Sequence, residues 1–510
     1  MQMLKRKIWF NVHKAWFQTK AIQKGQQQYT NKVTPNVNLG QALHENRPYW
    51  IKPGELTPGI TALEYFERRV KLASKLPKKS CLILPSSQVK YATGPVFYPF
   101  QQNTDLYYLT GWNEPDSVMI LEKPNDNLDD VLFHMLVPPK DAFAEKWEGF
   151  RTGVEGIKEF FNADESDDIN NLVSYTSKIL KRNEHLYFDI PHEKNNSTQF
   201  FGTFFGQSQE SKFAITINDL LKRDFSSKKI RKAKPLIAEQ RRIKSPAELT
   251  VMRTAGQISG RSYNQAYAEK FRNERTLHSF LEYKFISGGC DKSAYVPVVA
   301  SGSNALCIHY TKNNDVMFDD EMVLVDASGA LGGYCSDISR SWPVNGEFSG
   351  PQRDLYEAVL NVQRKCITLC KANLGYSIQD IHDQSVNYMV EELKNVGIDN
   401  SRSQVTSLYN HLIGHNLGLD VHDVPECSIY KPIEPGQVIT IEPGIYVPQD
   451  DRYPKWFQNI GIRIEDDVAV EKDSYTILTV EAAKEVKDIE NIARNGVTTK
   501  IPQDVVSPLF

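Results

Sequence analysis

The sequence predicts an α+β protein behind a short basic leader: an α/β N-terminal domain, then a second domain of short strands and helices that carries the chemistry. Three observations predict it. The chain has 510 residues, more than one hydrophobic core ordinarily serves. Residues 1–44 contain no Asp or Glu and give way to mixed, aromatic-rich globular sequence. A basic, weakly apolar stretch, FSSKKIRKAK (225–234), reads as a linker between two regions of strand and helix pattern. The expected boundaries are therefore 1–44 for the leader, 45–235 for the first domain and 236–510 for the second.

Composition narrows the function classes. Hydrophobic residues are 40% and charged residues 24%, with 29 Gly and 26 Pro, which excludes collagenous, low-complexity and disordered chains. Lys plus Arg number 60 against 63 Asp plus Glu, and a net charge of -3 gives no bulk field for nucleic acid or an anionic membrane. No apolar run approaches the roughly 18 residues of a membrane span. Seven Cys, an odd number without a CxxC pair, argue against a disulfide framework and for a reducing compartment.

In the leader, Lys5, Arg6, Lys7, Lys14, Lys20, Lys24 and Lys32 are basic, and the first acid is Glu45. Wound as a helix, Leu4, Ile8, Val12, Ala15 and Trp16 gather on one side with Arg6, Lys7 and Lys14 opposite, the pattern of a transit peptide. A disordered basic tail and a surface-binding helix are the alternatives.

In the first domain CLILP (81–85), DLYYLTGW (105–112), SVMILE (117–122) and VLFHMLVP (131–138) read as strands, and TALEYFERRVKLASKL (61–76) as a helix. NADESDDINNL (162–172) reads as a helix start, and His134 and His185 as ordinary satisfied side chains. The second domain opens on a marked helix start: Ser245 as N-cap, Pro246 first in the helix and Glu248 completing a capping box, before Leu249, Met252, Ala255 and Ile258.

Four β-like runs of the second domain each carry a carboxylate where apolar alternation breaks: Asp326 in MVLVDASG, Asp337 in YCSDISRSWPV, Glu442 in VITIEPGIYV and Glu465 in GIRIEDDVAV. An ionised acid in a half-buried strand is costly unless it is paired or bound to metal, and a shared cation explains all four. A hairpin through GALGG (329–333) brings Asp326 toward Asp337. Three of 11 His fall in HLIGHNLGLDVHD (411–423), and His309 lies in LCIHYTKN. Four acids with His415 make an oxygen-rich site suited to Mn, Co or Zn, and two ions about 3.5–4 Å apart balance its charge better than one. Cys366 and Cys370 read as packed thiols, Trp112 and Trp147 as core or subunit-contact aromatics.

The order Asp326, Asp337, His415, Glu442, Glu465 resembles the ligand set of the pita-bread metallopeptidases, which include methionine aminopeptidase, aminopeptidase P and prolidase; the resemblance covers roughly 245–490. PFQQNTDLYYLTGWNEPDSVMILEK (99–123) and AEKWEGFRTG (144–153) resemble the N-terminal domain of aminopeptidase P, and the whole chain, leader included, resembles the mitochondrial intermediate-cleaving members of that branch. The resemblance implies a C-terminal pita-bread domain and a di-metal aminopeptidase of the mitochondrial matrix, a homodimer or larger. Its substrates would be the N-termini of presequence-processed polypeptides, from which it removes one residue. It further implies that Asp326 holds one metal, that His415 and Glu442 hold the other, and that Asp337 and Glu465 bridge them. Glu442 would take a proton, His309 and His422 would surround the substrate carbonyl, and His411 would face the second substrate residue; Arg463, on the strand leading to Glu465, would brace the acids. Leu412 stands where related motifs have Gly, which predicts a relaxed requirement for Pro. The rival readings are an Xaa-Pro aminopeptidase or dipeptidase acting on short Pro peptides, a catalytically dead peptide-binding module, and a metal-free enzyme of the same fold acting on an amidine.

Overall fold

The computed structural model describes residues 37–191, 211–398, 401–498 and 502–510. The amphipathic helix expected around Leu4 to Trp16 lies outside them. The chain divides into two compact units, 1–240 and 241–510.

The first unit is built on one sheet. Its elements are α1 (Ala62–Ser74), β1 (Ser80–Pro85), α2 (Thr104–Thr110), β2 (Val118–Lys123), β3 (Leu132–Val137), β4 (Glu165–Asp168), α3 (Leu172–Arg182), β5 (His185–Tyr187), α4 (Lys212–Asp224) and β6 (Ile230–Arg231). The strand order is β6-β5-β1-β2-β3-β4, antiparallel about β2 and parallel at both flanks. On one face Cys81, Ile83, Val118, Ile120 and Leu136 pack against Ile179 and Leu180 of α3 and Ile217 of α4. His134 is a satisfied core side chain, between the Tyr175 hydroxyl at 2.9 Å and Glu122 at 3.2 Å. Trp112 is buried edge-on to Phe161, whereas Trp147 is exposed.

Two expectations fail here. DLYYLTGW is not a strand: Thr104–Thr110 is a helix, capped by the Asn103 side chain accepting from the Asp105 and Leu106 amides and ended by Gly111 at φ 69°. Arg68 and Arg69 of α1 donate to the Tyr108 and Leu109 carbonyls at its last turn, which favours the helix over the β propensity of its aromatic residues. The 225–234 stretch is not a bare linker, because Ile230–Arg231 forms β6 and extends the sheet beside β5.

The second unit opens with α5 (Pro246–Tyr267), whose Ser245–Glu248 capping box is formed as expected. Then come α6 (Glu274–Ser287), β7 (Val298–Ser301), β8 (Met322–Asp326), β9 (Gly329–Leu331), β10 (Tyr334–Cys335), β11 (Ser339–Pro343), α7 (Gly350–Ile367), α8 (Ile378–Asn395), β12 (Val438–Ile441), β13 (Gly444–Val447), β14 (Ile460–Arg463) and β15 (Asp466–Val470). β8 lies between β7 and β11, antiparallel to both, with Asp326 opposite Ser339. The GALGG turn is itself a small hairpin, β9 with β10, so Asp337 falls on the link from β10 to β11. β12 pairs with β15 and β13 with β14. Glu442 and Glu465 thus occupy the two breaks where these strands change partner, β12 to β13 and β14 to β15. α5, α7 and α8 contribute the main core, with Tyr263, Leu355, Val359, Ile381 and Met389, and bury both Cys366 and Cys370.

Candidate active site

The second unit brings the sequence-selected acids to one place because each sits at a strand end or strand break. Asp337 Oδ2 lies 3.5 Å from His415 Nε2, and Glu442 Oε1 lies 3.6 Å from the same nitrogen. Single donor atoms of Asp337, His415 and Glu465 all lie within 4.8 Å of one another. Asp326 stands beside this cluster and is held from two sides, by the Tyr295 hydroxyl at 2.5 Å and by Arg463 Nη2 at 2.7 Å.

His415 is placed by backbone pairing. The Leu417 amide donates to Val438 O, Thr440 N to His415 O and Glu442 N to Ile413 O, so the 413–417 segment runs along β12 and one ladder fixes both His415 and Glu442. Gly414 makes this possible, since a Cβ there would lie 1.9 Å from the Thr440 carbonyl oxygen. His415 Nδ1 is 3.0 Å from the Asn416 carbonyl, which can only accept, so Nδ1 carries the hydrogen. Nε2 is then the ring atom that faces the carboxylates, open to a proton or to a metal ion.

Electrostatics show what the cluster wants. Burial pushes the carboxyl pKa of Asp337 up, with the Asp326 charge adding to it and His415 opposing. Burial carries Glu442 to about 7 and lifts Glu465 well above the carboxylate range, where Asp337, Glu442 and Asp326 push it further. Against its own burial, His415 is raised to about 9 by its hydrogen bond to Asp337 and by the Glu442 charge. The imidazole takes a proton because so many acids lack compensating positive charge, and a divalent cation answers that need better. Carboxylate oxygens with one imidazole are a donor set that fits such an ion.

Around the cluster, Arg463 is buried and fully engaged. Nη2 donates to Asp326, Nη1 to the Tyr446 hydroxyl at 2.8 Å and Nε to Ser339 Oγ at 2.9 Å, while Ser339 Oγ donates to Glu465 at 2.6 Å. His411 Nε2 is 2.9 Å from the Tyr446 hydroxyl and Nδ1 is 2.8 Å from the Leu412 carbonyl. Burial and the neighbouring Arg463 lower the His411 pKa to about 3, so this ring is neutral, donating at Nδ1 and accepting at Nε2. Asp326, Arg463, Tyr446 and His411 form one hydrogen-bonded row. The His422 ring lies edge-on to His415, centroids 4.4 Å apart, and desolvation followed by the charges of His415 and His309 lowers its pKa to about 4. The next residue, Asp423, is buried and anchors the loop to Lys244 at 2.9 Å and Arg241 at 2.6 Å. His309 is exposed on the 301–315 loop.

Sequence reasoning missed Tyr295, Ser339, Thr440 and Tyr446, the residues that hold the acids and imidazoles in place. The available signal was a hydroxyl inside an otherwise buried run, as with Tyr446 in GIYV and Ser339 in SRSWP, since a buried hydroxyl needs a partner. Tyr295, outside any strand, gave none.

Comparison with known proteins adds the following. Residues 250–472 match the profile of metallopeptidase family M24, and residues 65–187 match that of the aminopeptidase P N-terminal domain. The chain is 61% identical over 485 residues to Intermediate cleaving peptidase 55 of Saccharomyces cerevisiae, covering 94% of each. It is 36% identical over 460 residues to the protein named Intermediate cleaving peptidase 55, mitochondrial, of Arabidopsis thaliana, covering 90% of this chain and 88% of the other. A crystal structure of Icp55 from Saccharomyces cerevisiae with its N-terminal 58 residues deleted superposes with a TM-score of 0.80 at 61% identity, over 87% of this chain and 100% of that one.

Proposed function

The chain belongs to metallopeptidase family M24, in its aminopeptidase P branch, and we propose that it is a mitochondrial aminopeptidase that removes a single N-terminal residue from imported proteins after their presequence has been cut away. Its second unit is the pita-bread domain of that family, preceded by the aminopeptidase P N-terminal domain. As a metallopeptidase it works with divalent metal. The observation that carries the reading is the convergence of Asp337, His415 and Glu465 within 4.8 Å, with Glu442 and Asp326 alongside.

Two ions, Mn before Co or Zn, would be held by this donor set, with Asp326 serving one, His415 and Glu442 the other, and Asp337 and Glu465 available to either. When bound, the ions supply Lewis acidity, which makes a water nucleophilic near neutral pH. Glu442 accepts the proton of the attacking water at its carboxylate and passes it to the departing amine. His422 and His309 donate to the scissile carbonyl oxygen as negative charge develops on it. Arg463 holds Asp326 and Tyr446 in place by hydrogen bonds, and the neutral His411 ring borders the place of the second substrate residue.

The substrates are polypeptide N-termini, and among the described residues no helix is long and apolar enough to cross a membrane. The acid-free basic leader supports import to the matrix, and the printed name of the Arabidopsis relative supports the mitochondrion. Exposed Phe143 and Trp147, each 75% accessible, support assembly as a homodimer or larger. The test is N-terminal profiling of mitochondrial proteins with and without this protein. A set of proteins gaining one residue in its absence is expected; an unchanged set overturns the proposal. The second reading, an Xaa-Pro aminopeptidase, draws on the match of residues 65–187 to the aminopeptidase P domain, and would leave Pro-containing peptides as the accumulating species.

A further inference from the structure

Glu274 opens α6 and is wholly buried, yet its carboxylate accepts five hydrogen bonds from uncharged donors of a single loop. Oε1 receives the Ser301 amide and Ser301 Oγ, each at 2.9 Å, and Asn304 Nδ2 at 3.0 Å. Oε2 receives the Tyr310 hydroxyl and the Asp315 amide, each at 2.9 Å. The Glu274 amide in turn donates to the Asp315 carbonyl at 3.0 Å. One carboxylate therefore pins both ends and the middle of the 301–315 loop.

The loop is also seated on the catalytic sheet. Ile308 and Tyr310 pack on a small apolar cluster of Val298, Ala300, Ala305, Leu324 and Tyr446. Gly461 of β14 lies so close that a Cβ on it would come within 2.4 Å of the Ala305 carbonyl oxygen. With its two neighbours packed on the cluster, His309 is left exposed, near enough to His422 for its charge to be felt there.

We propose that Glu274 is a positioning residue for the peptidase reaction, fixing the 301–315 loop so that His309 meets the substrate carbonyl. This rests on the role given to His309 above. Between Leu306 and Asp315 the loop has no helix or strand of its own, so its shape depends on these bonds. An oxyanion donor displaced by about 1 Å loses on the order of 100-fold in rate. In Glu274→Gln an amide NH2 replaces one acceptor oxygen, so either the Ser301 or the Asp315 backbone amide loses its acceptor and the hydroxyl beside it must turn.

The experiment is a double-mutant cycle of Glu274→Gln with His309→Ala in the metal-loaded full chain, reading kcat, KM and metal content with a peptide of free N-terminus. Glu274→Gln alone is expected to lower kcat about as much as His309→Ala, roughly 10-fold or more, with metal content unchanged. In the His309→Ala background it is expected to change kcat less than 2-fold. Losses that multiply overturn the proposal, since a general structural role would not care whether His309 is present; unchanged kcat in Glu274→Gln overturns it as well. If His309→Ala alone leaves kcat unchanged, the role of His309 falls first. Should Glu274→Gln not fold, Tyr310→Phe, which keeps the packed ring and removes one bond of the clamp, decides the same cycle by the same criteria.

Discussion

Arg463 Nη2 stands 2.7 Å from Asp326 Oδ2, and no other side chain of the site ties together as many of its parts. The same guanidinium reaches Ser339, and through it Glu465, as well as Tyr446, and through that His411. Its planar fork suits three partners in three directions, which an ammonium group cannot reproduce.

Arg463→Lys is therefore expected to loosen metal binding by about 10–100-fold and to lower activity at limiting metal, with partial recovery at saturating metal. Metal titration of both proteins, followed by activity and by metal content, checks this. Equal affinity in the two would show that the row of residues does not support the metal site.

Exhaustive chelation should abolish peptidase activity and Mn or Co should restore it, because the cluster offers carboxylates and imidazoles but no protein nucleophile of its own. Asp337→Asn should lower metal content together with rate. A variant that still holds two ions tightly would remove Asp337 from the ligand set.

Glu442→Gln should cost on the order of 100-fold or more in kcat, the range for losing a general acid-base group, with further loss if metal departs. His422→Ala should keep its metal and still turn over more slowly, since its partner is charge developing on the substrate. Metal analysis beside kinetics separates the two cases.

The acids and His415 were legible in the sequence because charge within an apolar strand is costly and stands out. The residues that orient them were not, because a Tyr or Ser hydroxyl in a strand is too common to single out. In the first unit, DLYYLTGW shows how local propensity misleads: its aromatic content reads as strand, while Asn103 before it and Gly111 within it are helix start and stop signals. The short β6 was hidden because two residues beside basic neighbours carry no periodicity, and only the waiting edge of β5 makes Ile230–Arg231 a strand. The strands at 81–85, 117–122 and 131–138 were readable from apolar content alone, and all three form.

Leu412 is 41% exposed beside His411, while its carbonyl accepts the hydrogen of His411 Nδ1. A bulky apolar side chain at this place favours release of large apolar first residues such as Tyr, Leu or Phe without a Pro requirement. Comparing kcat/KM for matched peptides with Pro or Ser at position two, and Tyr or Gly at position one, tests it. A preference for Pro above roughly 1000-fold, about 4 kcal/mol, would move the assignment to an Xaa-Pro aminopeptidase.

Glu122 links acid to the stability of the first unit. Burial alone would raise its carboxyl pKa, but hydrogen bonds from His134, Arg182 and Asn183 bring it down to about 2 from an ordinary 4.5. A carboxyl depressed on folding contributes above its unfolded value, so this stabilisation is complete at neutral pH and is lost as pH falls from 4.5 to about 2. Glu122→Gln should destabilise at pH 7 and flatten the acid limb of unfolding. An unchanged pH dependence would count against the cluster.

The proposed metal residues are scattered from Asp326 to Glu465, and they meet only when the Arg463 and Glu465 amides have found Ser341 Oγ and the Ser339 carbonyl on β11, more than 120 residues earlier in the chain. Pairings this distant in sequence form late in folding, after most loop-closure entropy has been overcome. A chain that has not yet folded therefore carries no assembled site, and cannot trim its neighbours or itself until the rest of the second unit is in place. Its activity is timed by its own topology.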